Sequence, residues 1–392
     1  MKRIAFITEE YPTVMQREGG LATYVRKTAE LLTARGYEVH VFTPGLKDAD
    51  YVDRRIFIHE IESRTNRLGG WIGRSSQFAS VLPIGATRLI RELLVSWLLS
   101  RRVRDYERDH GLFEWVQSAD FQFRGLFVAS AARPNIVRCS WARDLFQRTD
   151  GDDREFYNRV AAWLERLAIR RASLAYAPSA LVSSYYRTHF GLDVAIIRPP
   201  LATLPLSVDT AVLERVPAKF MLHFGQLSRR KGTDIVLEAS RILHEEKVDV
   251  QVVLAGTDRG FLARELPPNV TYLGSLSRED VFTLVERALA AILPSRVDNL
   301  PNTAIESLSA GTPVLTCYES SVDELITDGV NGWVVERENP TALARAMELV
   351  WSLDCKPNSV VNYANPVFAE MDTETAIDNL ITAIAEVHSD AK

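Results

Sequence analysis

Short apolar runs alternate with one-faced amphipathic stretches along most of this chain. Ile4–Thr8, Tyr37–Phe42, Phe113–Gln117, Ile136–Arg138, Leu174–Ala177 and Val194–Ile197 read as buried strands in the first half. Phe220–Gly225, Val250–Gly256, Val270–Leu273, Ala290–Leu293, Pro313–Thr316 and Trp333–Val335 do so in the second. Between them lie helical patterns. Leu21–Ala34 carries Leu21, Tyr24, Val25, Thr28, Leu31 and Leu32 on one face, and the helix after Gly232 carries Ile235, Val236, Ala239, Ile242 and Leu243. Ile84–Leu99, Glu155–Arg171, Arg278–Ala288 (with Ser277 and Asp280 as a capping box), Thr303–Ala310 and Thr373–Val387 complete the set. This alternation predicts an α/β protein with parallel, doubly wound sheets. The Pro199-Pro200-Leu201 to Pro205 stretch has linker composition and divides the chain near residue 200.

The pattern loosens from Arg54 to Arg108. Gly69, Gly70, Trp71, Ile72 and Gly73 read as a loop. Arg64, Arg67, Arg74, Arg88 and further arginines up to Arg108 outnumber Glu92, Asp105 and Glu107. With Trp71, Phe78 and Trp97 this stretch has two readings: a membrane-surface patch serving a lipid-linked acceptor, or a packed helix with a solvated basic face. At 392 residues the chain suits two domains of ordinary size, and its composition is that of a soluble globular protein. The net charge of −5 argues against a dedicated nucleic-acid binder. Cys139, Cys317 and Cys355 are too scattered for a disulfide framework or a zinc site. MKRIAFITEE reads as a first strand rather than a signal peptide, and no uncharged apolar run reaches the length of a membrane span. The expected location is the cytoplasm, with contact at the inner face of the membrane as the variant reading.

Three stretches carry candidate chemistry. In LPSRVDNLPNTAIESLSAGTPVLTC, Leu293 to Cys317, a strand ends in a polar loop that opens a short helix. Helix N-termini beyond the carboxyl ends of parallel strands bind anions. Asp298 sits in the loop and Glu306 eight positions later, opposite the apolar face of Ala304, Ile305 and Leu308, toward solvent or a cleft. On pattern alone Glu306 is either a solvated residue favoured near the positive end of the helix or a ligand group. FGQLSRRKG, Phe224 to Gly232, is a basic loop between strand and helix and suits a nucleotide diphosphate. Gly19-Gly20 opens the first helix, either to admit a phosphate or merely to permit a tight turn.

Pro294-Ser295, an acid, seven residues, a glutamate and then Ala-Gly-Thr-Pro-Val resembles the signature of retaining nucleotide-sugar glycosyltransferases of family 4. GGLATYVRKTAELLTARGYEVHVFTP resembles that family's first βαβ unit. The resemblance implies the GT-B fold, with two Rossmann-like domains facing a cleft. Residues 1–200, with a returning helix in 371–392, would form the acceptor-side domain, and 201–370 the donor domain. It implies catalytic roles for Lys231, Asp298 and Glu306, with Glu306 on the donor ribose. Gly19, Gly20, Gln226, Arg230, Lys231, Gly256, Leu273, Asn299, Leu300, Asn302 and Thr303 would complete the donor site. Lys231 and backbone amides would stabilise the departing diphosphate, so no dedicated metal is expected. The implied partners are a nucleotide-diphosphate sugar and a hydroxyl acceptor: a saccharide, a lipid-linked sugar or a small metabolite.

Three positions depart from the family pattern. Asp298 replaces a glutamate, Gln226 replaces an arginine that Arg229 or Arg230 would have to compensate, and Ser140 stands where a histidine near the donor sugar is usual. Trp141 to Asp144 are candidates to face the acceptor. Asp48-Ala49-Asp50 and Asp150-Gly151-Asp152 spell the two-aspartate metal motif of the other glycosyltransferase fold but read as surface loops. Beside transfer, two alternatives stay open: a GT-B sugar-nucleotide epimerase or hydrolase, and a non-catalytic sugar-nucleotide-binding or assembly protein.

Overall fold

The structure, a computed structural model, describes residues 2–12, 19–62, 84–150, 156–201, 211–258, 260–262, 265–353 and 365–389. Two compact units result: residues 1–178, 182–200 and 374–392 form the first, and 179–181 with 201–373 the second. The first begins β1 (Arg3–Ile7), α1 (Gly20–Ala34), β2 (Glu38–Gly45), β3 (Ala49–Asp53), β4 (Ile56–Glu62), α2 (Ile84–His110), β5 (Trp115–Ala119) and β6 (Asn135–Arg138). It continues through α3 (Arg143–Asp150), α4 (Phe156–Arg170), β7 (Leu174–Ala177), α5 (Ala180–Phe190) and β8 (Ala195–Ile196). The second holds β9 (Met221–Leu227), α6 (Thr233–Glu245), β10 (Val252–Asp258), β11 (Val270–Tyr272), α7 (Arg278–Arg287), β12 (Ala291–Ile292) and α8 (Asn302–Ser309). β13 (Val314–Cys317), β14 (Gly332–Val335), α9 (Pro340–Ser352) and α10 (Pro366–Glu370) follow, and α11 (Thr373–Ser389) belongs to the first unit for most of its length.

The first sheet runs β3-β4-β2-β1-β5-β6-β7-β8, parallel except for β3 against β4. Because strand side chains alternate, β1 serves two layers. Ile4 and Phe6 pack with Val25, Ala29 and Leu32 of α1, while Ala5 and Ile7 pack with Val95, Leu99 and Val103 of α2. Burial on both faces is why these strands read as continuous apolar runs. Helix α11 lays Ile377, Leu380 and Ile384 on the α1 side. Burying such side chains stabilises by about 1.5–3 kcal/mol each, more than the exposed pairs of Arg35 with Glu374 and Asp378 can add.

The second sheet, β11-β10-β9-β12-β13-β14, is entirely parallel. Val252, Leu254, Ile292 and Leu315 meet α6 and α9 on one face, and Leu222, Val253, Ala291 and Val314 meet α7 and α8 on the other. Ser277 caps α7 by accepting the Asp280 amide at 3.0 Å.

Several expectations shift. The loosened stretch after Arg54 contains strand β4, and its helix runs on to His110 rather than ending at Leu99. Buried Val103 and Glu107 carry the helix through a run so charged that its periodicity is hidden. Asp48-Ala49-Asp50 is not a surface loop: it enters the edge strand β3. Asp48 accepts the Glu62 amide at 2.8 Å, and Asp50 accepts from Arg102 at 2.6 Å. Arg64, Arg67, Gly69 to Gly73, Arg74, Phe78, Pro205, Gly151, Asp152 and Cys355 lie outside the described residues.

Beneath α2 the sheet buries a histidine pair. His40 Nδ1 lies 2.9 Å from His59 Nε2, His40 Nε2 is 3.0 Å from Glu38, and His59 Nδ1 is 2.7 Å from Asp50. Burial pushes the His40 pKa down to about 4 against the partial opposition of Glu38. A base whose folded pKa is depressed leaves stability intact above its unfolded value and removes it as pH falls from about 6.5 toward 4. Unfolding by denaturant at pH 7.5 and 4.5 should therefore differ by a component on the order of 2–3 kcal/mol. His40→Phe should flatten the dependence. An unchanged slope in the folded variant would assign the effect to other groups.

Candidate functional site

In the second unit the chain leaves β9 for β10 and β11, then returns to place β12 on the other side of β9. The loops after β9 and β12 therefore diverge at the topological switch point, where open α/β sheets bind ligands. The two loops are fastened together. The Arg296 amide donates to the Arg230 carbonyl at 2.8 Å, and the Arg296 guanidinium reaches the Arg229 carbonyl and, at 2.7 and 2.8 Å, Asp234. Gly232 sits left-handed (φ 73°) against the Pro294 carbonyl, which any Cβ there would strike.

This fastening brings Lys231, Arg230 and Asp298 together. Lys231 Nζ lies 2.5 Å from Asp298, and Arg230 stands 3.9 Å away on the other carboxylate oxygen. Ser295 Oγ (3.2 Å) and the Asn299 amide (3.1 Å) also donate to Asp298. Burial alone would raise the Asp298 pKa, but Lys231 and Arg230 outweigh it and hold the carboxyl below the ordinary range. Asp298 is thus the anchor of the two cations. Arg230 is buried, whereas Arg229 is exposed.

Asn302 and Thr303 open α8 after Pro301, with no side-chain cap and no acid in the first turn, so their amides have no helical carbonyl to bond. Ala304, Ile305 and Leu308 form the buried face as expected. Glu306 is half-buried, and its carboxylate has no hydrogen-bond partner among the described residues. Burial raises its pKa, and the charge of Arg278 opposes that only in part. Leu300 holds a left-handed backbone (φ 49°), with its amide donating to buried Ser321 Oγ at 3.0 Å. Ser321 and Arg296 carried no motif signal, because their roles come from contacts between distant loops. Gln226 is exposed near the end of β9. Gly256 lies opposite Gly225 in β10, and Leu273 is half-buried after β11.

Gly19 and Gly20 belong to the first unit, at the N-terminus of α1, where Gly19 carries no side-chain cap. The Glu10 carboxylate lies where a Cβ on Gly19 would stand, so this N-terminus already has an acid beside it. Asp120, after β5, accepts the amides of Ser140, Trp141 and Ala142 at 2.7, 3.1 and 3.2 Å and fixes the loop after β6. Arg143 does not face out toward an acceptor: it is buried on Glu165 at 2.8 Å, and Asp144 is paired with Arg166. Among the described residues no group of three or more His, Cys, Asp or Glu could hold a metal ion.

Two mostly parallel sheets wound on both faces, with the last helix returned to the first unit, define the GT-B class of sugar-transferring enzymes. The fold matches sucrose-phosphate synthase from Thermosynechococcus elongatus with a TM-score of 0.74 at 15% identity over all of both chains. Residues 18–210 match the profile of Glycosyltransferase Family 4, and residues 210–366 that of Glycosyl transferases group 1. The chain is 25% identical over 356 residues to the GDP-mannose-dependent alpha-(1-6)-phosphatidylinositol dimannoside mannosyltransferase of Mycobacterium tuberculosis, covering 86% of this chain and 85% of that one. It is 27% identical over 217 residues to the D-inositol 3-phosphate glycosyltransferase of Mycolicibacterium gilvum, a match spanning 52% of this chain and just under half (46%) of that relative. The chain belongs to the family 4 glycosyltransferases.

Proposed function

We propose that this glycosyltransferase takes its sugar from a nucleotide-diphosphate donor held by the second unit and transfers it, with retention of configuration, to a hydroxyl acceptor held by the first. The product would enter glycan, glycolipid or glycosylated-metabolite biosynthesis. The observation that carries the reading is Glu306, a half-buried carboxylate with no hydrogen-bond partner among the described residues, on the short helix α8 whose N-terminus has no side-chain cap. A carboxylate accepts from two vicinal hydroxyls at once, as a ribose presents them. The free amides of Asn302 and Thr303 suit the diphosphate, as do the cations Lys231 and Arg230. The mycobacterial relative named GDP-mannose-dependent supports a nucleotide-sugar donor. With charge neutralised by side chains and amides, the departing diphosphate needs no dedicated metal.

The burial of Arg230 beside Asp298, against the exposure of Arg229, supports Arg230 as the compensation for Gln226. A charge-assisted contact to phosphate contributes about 1.5–3 kcal/mol, so Arg230→Ala should lower the initial rate about tenfold or more. Arg229→Ala, a surface charge, should stay within about twofold. Normal rates in both would leave Gln226 and backbone amides sufficient.

Helices α2 and α4 expose Trp97, Phe156 and Trp163 among arginines, which favours peripheral contact with an anionic membrane surface. No helix among the described residues is long and apolar enough to cross a membrane. Incubation with a panel of radiolabelled nucleotide sugars, with and without lipid extract, tests both points. Transfer from one donor is the expected result, with product in the lipid phase if the acceptor is lipid-linked. Nucleotide binding without transfer to any acceptor would favour the non-catalytic alternative.

A further inference from the structure

Three buried arginines of the first unit are structural. Arg124 holds Glu9 and Glu92 at 2.5 and 2.7 Å, Arg133 holds Glu107 at 2.5 Å, and Arg143 holds Glu165 at 2.8 Å. Arg138 breaks this pattern. It is the last residue of β6, beside Ala119 of β5 and Tyr176 of β7, and only 8% exposed. Nη1 donates to Ser140 Oγ at 2.6 Å, and the guanidinium lies 3.9 Å from the centre of the Tyr24 ring. Its Nε is buried with no acceptor among the described residues, and no carboxylate there lies within ion-pair distance of it. Asp120, which accepts the three amides after β6, acts on it through space without an ion pair.

The setting is rigid. Tyr24 Oη bonds Tyr176 Oη at 2.6 Å and accepts from Gln117 at 3.3 Å, so the ring beneath the guanidinium is fixed. Tyr24 stands in the second turn of α1, whose N-terminus has no side-chain cap and lies beside the Glu10 carboxylate, so the subsite rests on Arg138 and not on the helix. A guanidinium has five donors in a planar fork that matches an oxyanion. The tyrosine face stabilises the positive charge but supplies no lone pair along those N–H directions. Burying the charge is costly unless an anion completes it.

We propose that Arg138 anchors an oxyanion subsite in the first unit that takes a carboxylate or phosphate group carried by one of the enzyme's two substrates. This deepens the transfer reading and rests on it. Two sources share the chemistry: an acidic sugar on the nucleotide donor, or an acceptor bearing a phosphate or carboxylate.

The test uses the full chain, its Arg138→Met and Arg138→Lys variants, and calorimetry at low salt with inorganic phosphate and with glucuronate as probes. Wild type should bind at least one probe, Arg138→Met should weaken it tenfold or more, and Arg138→Lys should retain part of it. Thermal melting of each variant serves as the folding control, and nucleotide diphosphate binding in the second unit is measured beside it. If Arg138→Met does not fold, Arg138→Lys decides: affinity equal to wild type, without loss of the fork, overturns the proposal. So does a wild type that binds neither probe more tightly than the folded Met variant.

Rates then separate the sources. Nucleotide uronates are compared with nucleotide hexoses, and phosphorylated acceptors with plain ones, each with wild type and variant. The arm in which preference for charge disappears with Arg138 names the substrate, and no preference in either arm overturns the assignment. Failure of every form to bind nucleotide would sink the donor reading while leaving the probe measurements standing.

Discussion

Lys231→Ala should abolish most turnover, by about 10²–10³-fold, the loss usual when a group aimed at developing charge is removed. The substitution has a second consequence that must be separated from the first. Lys231 Nζ is 2.5 Å from Asp298, in a place where both side chains are largely buried. Stranding a buried charge costs about 3–5 kcal/mol. Here Arg230, Ser295 and the Asn299 amide still face Asp298, so about 2–3 kcal/mol is the better expectation. Lys231→Ala should therefore also melt earlier. Adding Asp298→Asn removes the stranded charge and should restore the melting temperature without restoring turnover. If the double variant regains activity, Lys231 is only the partner of Asp298, and its role toward the diphosphate falls.

The parallel strands were legible because burial on both faces leaves unbroken apolar runs, such as Ile4 to Ile7 and Val252 to Ala255. The edge pair β3 and β4 was not. In β3, half-exposed positions alternate with exposed ones, a pattern that does not distinguish an edge strand from a loop. Helix α9 could have been found from Asn339 and Pro340, an N-cap followed by proline at the first helical position, since Asn339 does accept the Ala342 amide at 2.9 Å. In the site, Leu293 to Cys317 was legible as strand, loop and helix start. The Lys231–Asp298 pair was not, because 67 positions separate its members and only the closure of β9 beside β12 joins them. Burial separates two residues that composition could not. Arg229 and Arg230 are equivalent in sequence, yet only Arg230 turns in toward Asp298.

Glu306→Ala should weaken nucleotide binding tenfold to a hundredfold, the 1.5–3 kcal/mol of hydrogen bonds between a charged acceptor and ribose hydroxyls. Its effect on stability should be opposite in sign to that of Lys231→Ala. Burial raises the Glu306 pKa above the ordinary glutamate value. A carboxyl with a raised folded pKa binds protons more readily folded than unfolded, so stability falls as pH rises from the unfolded value through the folded one. At neutral pH the empty site carries that penalty, and removing the carboxylate should leave the melting temperature unchanged or slightly higher. Nucleotide affinity of wild type should decline on acidification from a higher pH than an exposed glutamate would give, since the protonated acid loses its charge-assisted bonds. Calorimetry of nucleoside diphosphate binding across pH 4.5 to 8, on wild type and Glu306→Gln, checks both expectations. A Gln variant with wild-type affinity and the same pH dependence would remove Glu306 from the donor site.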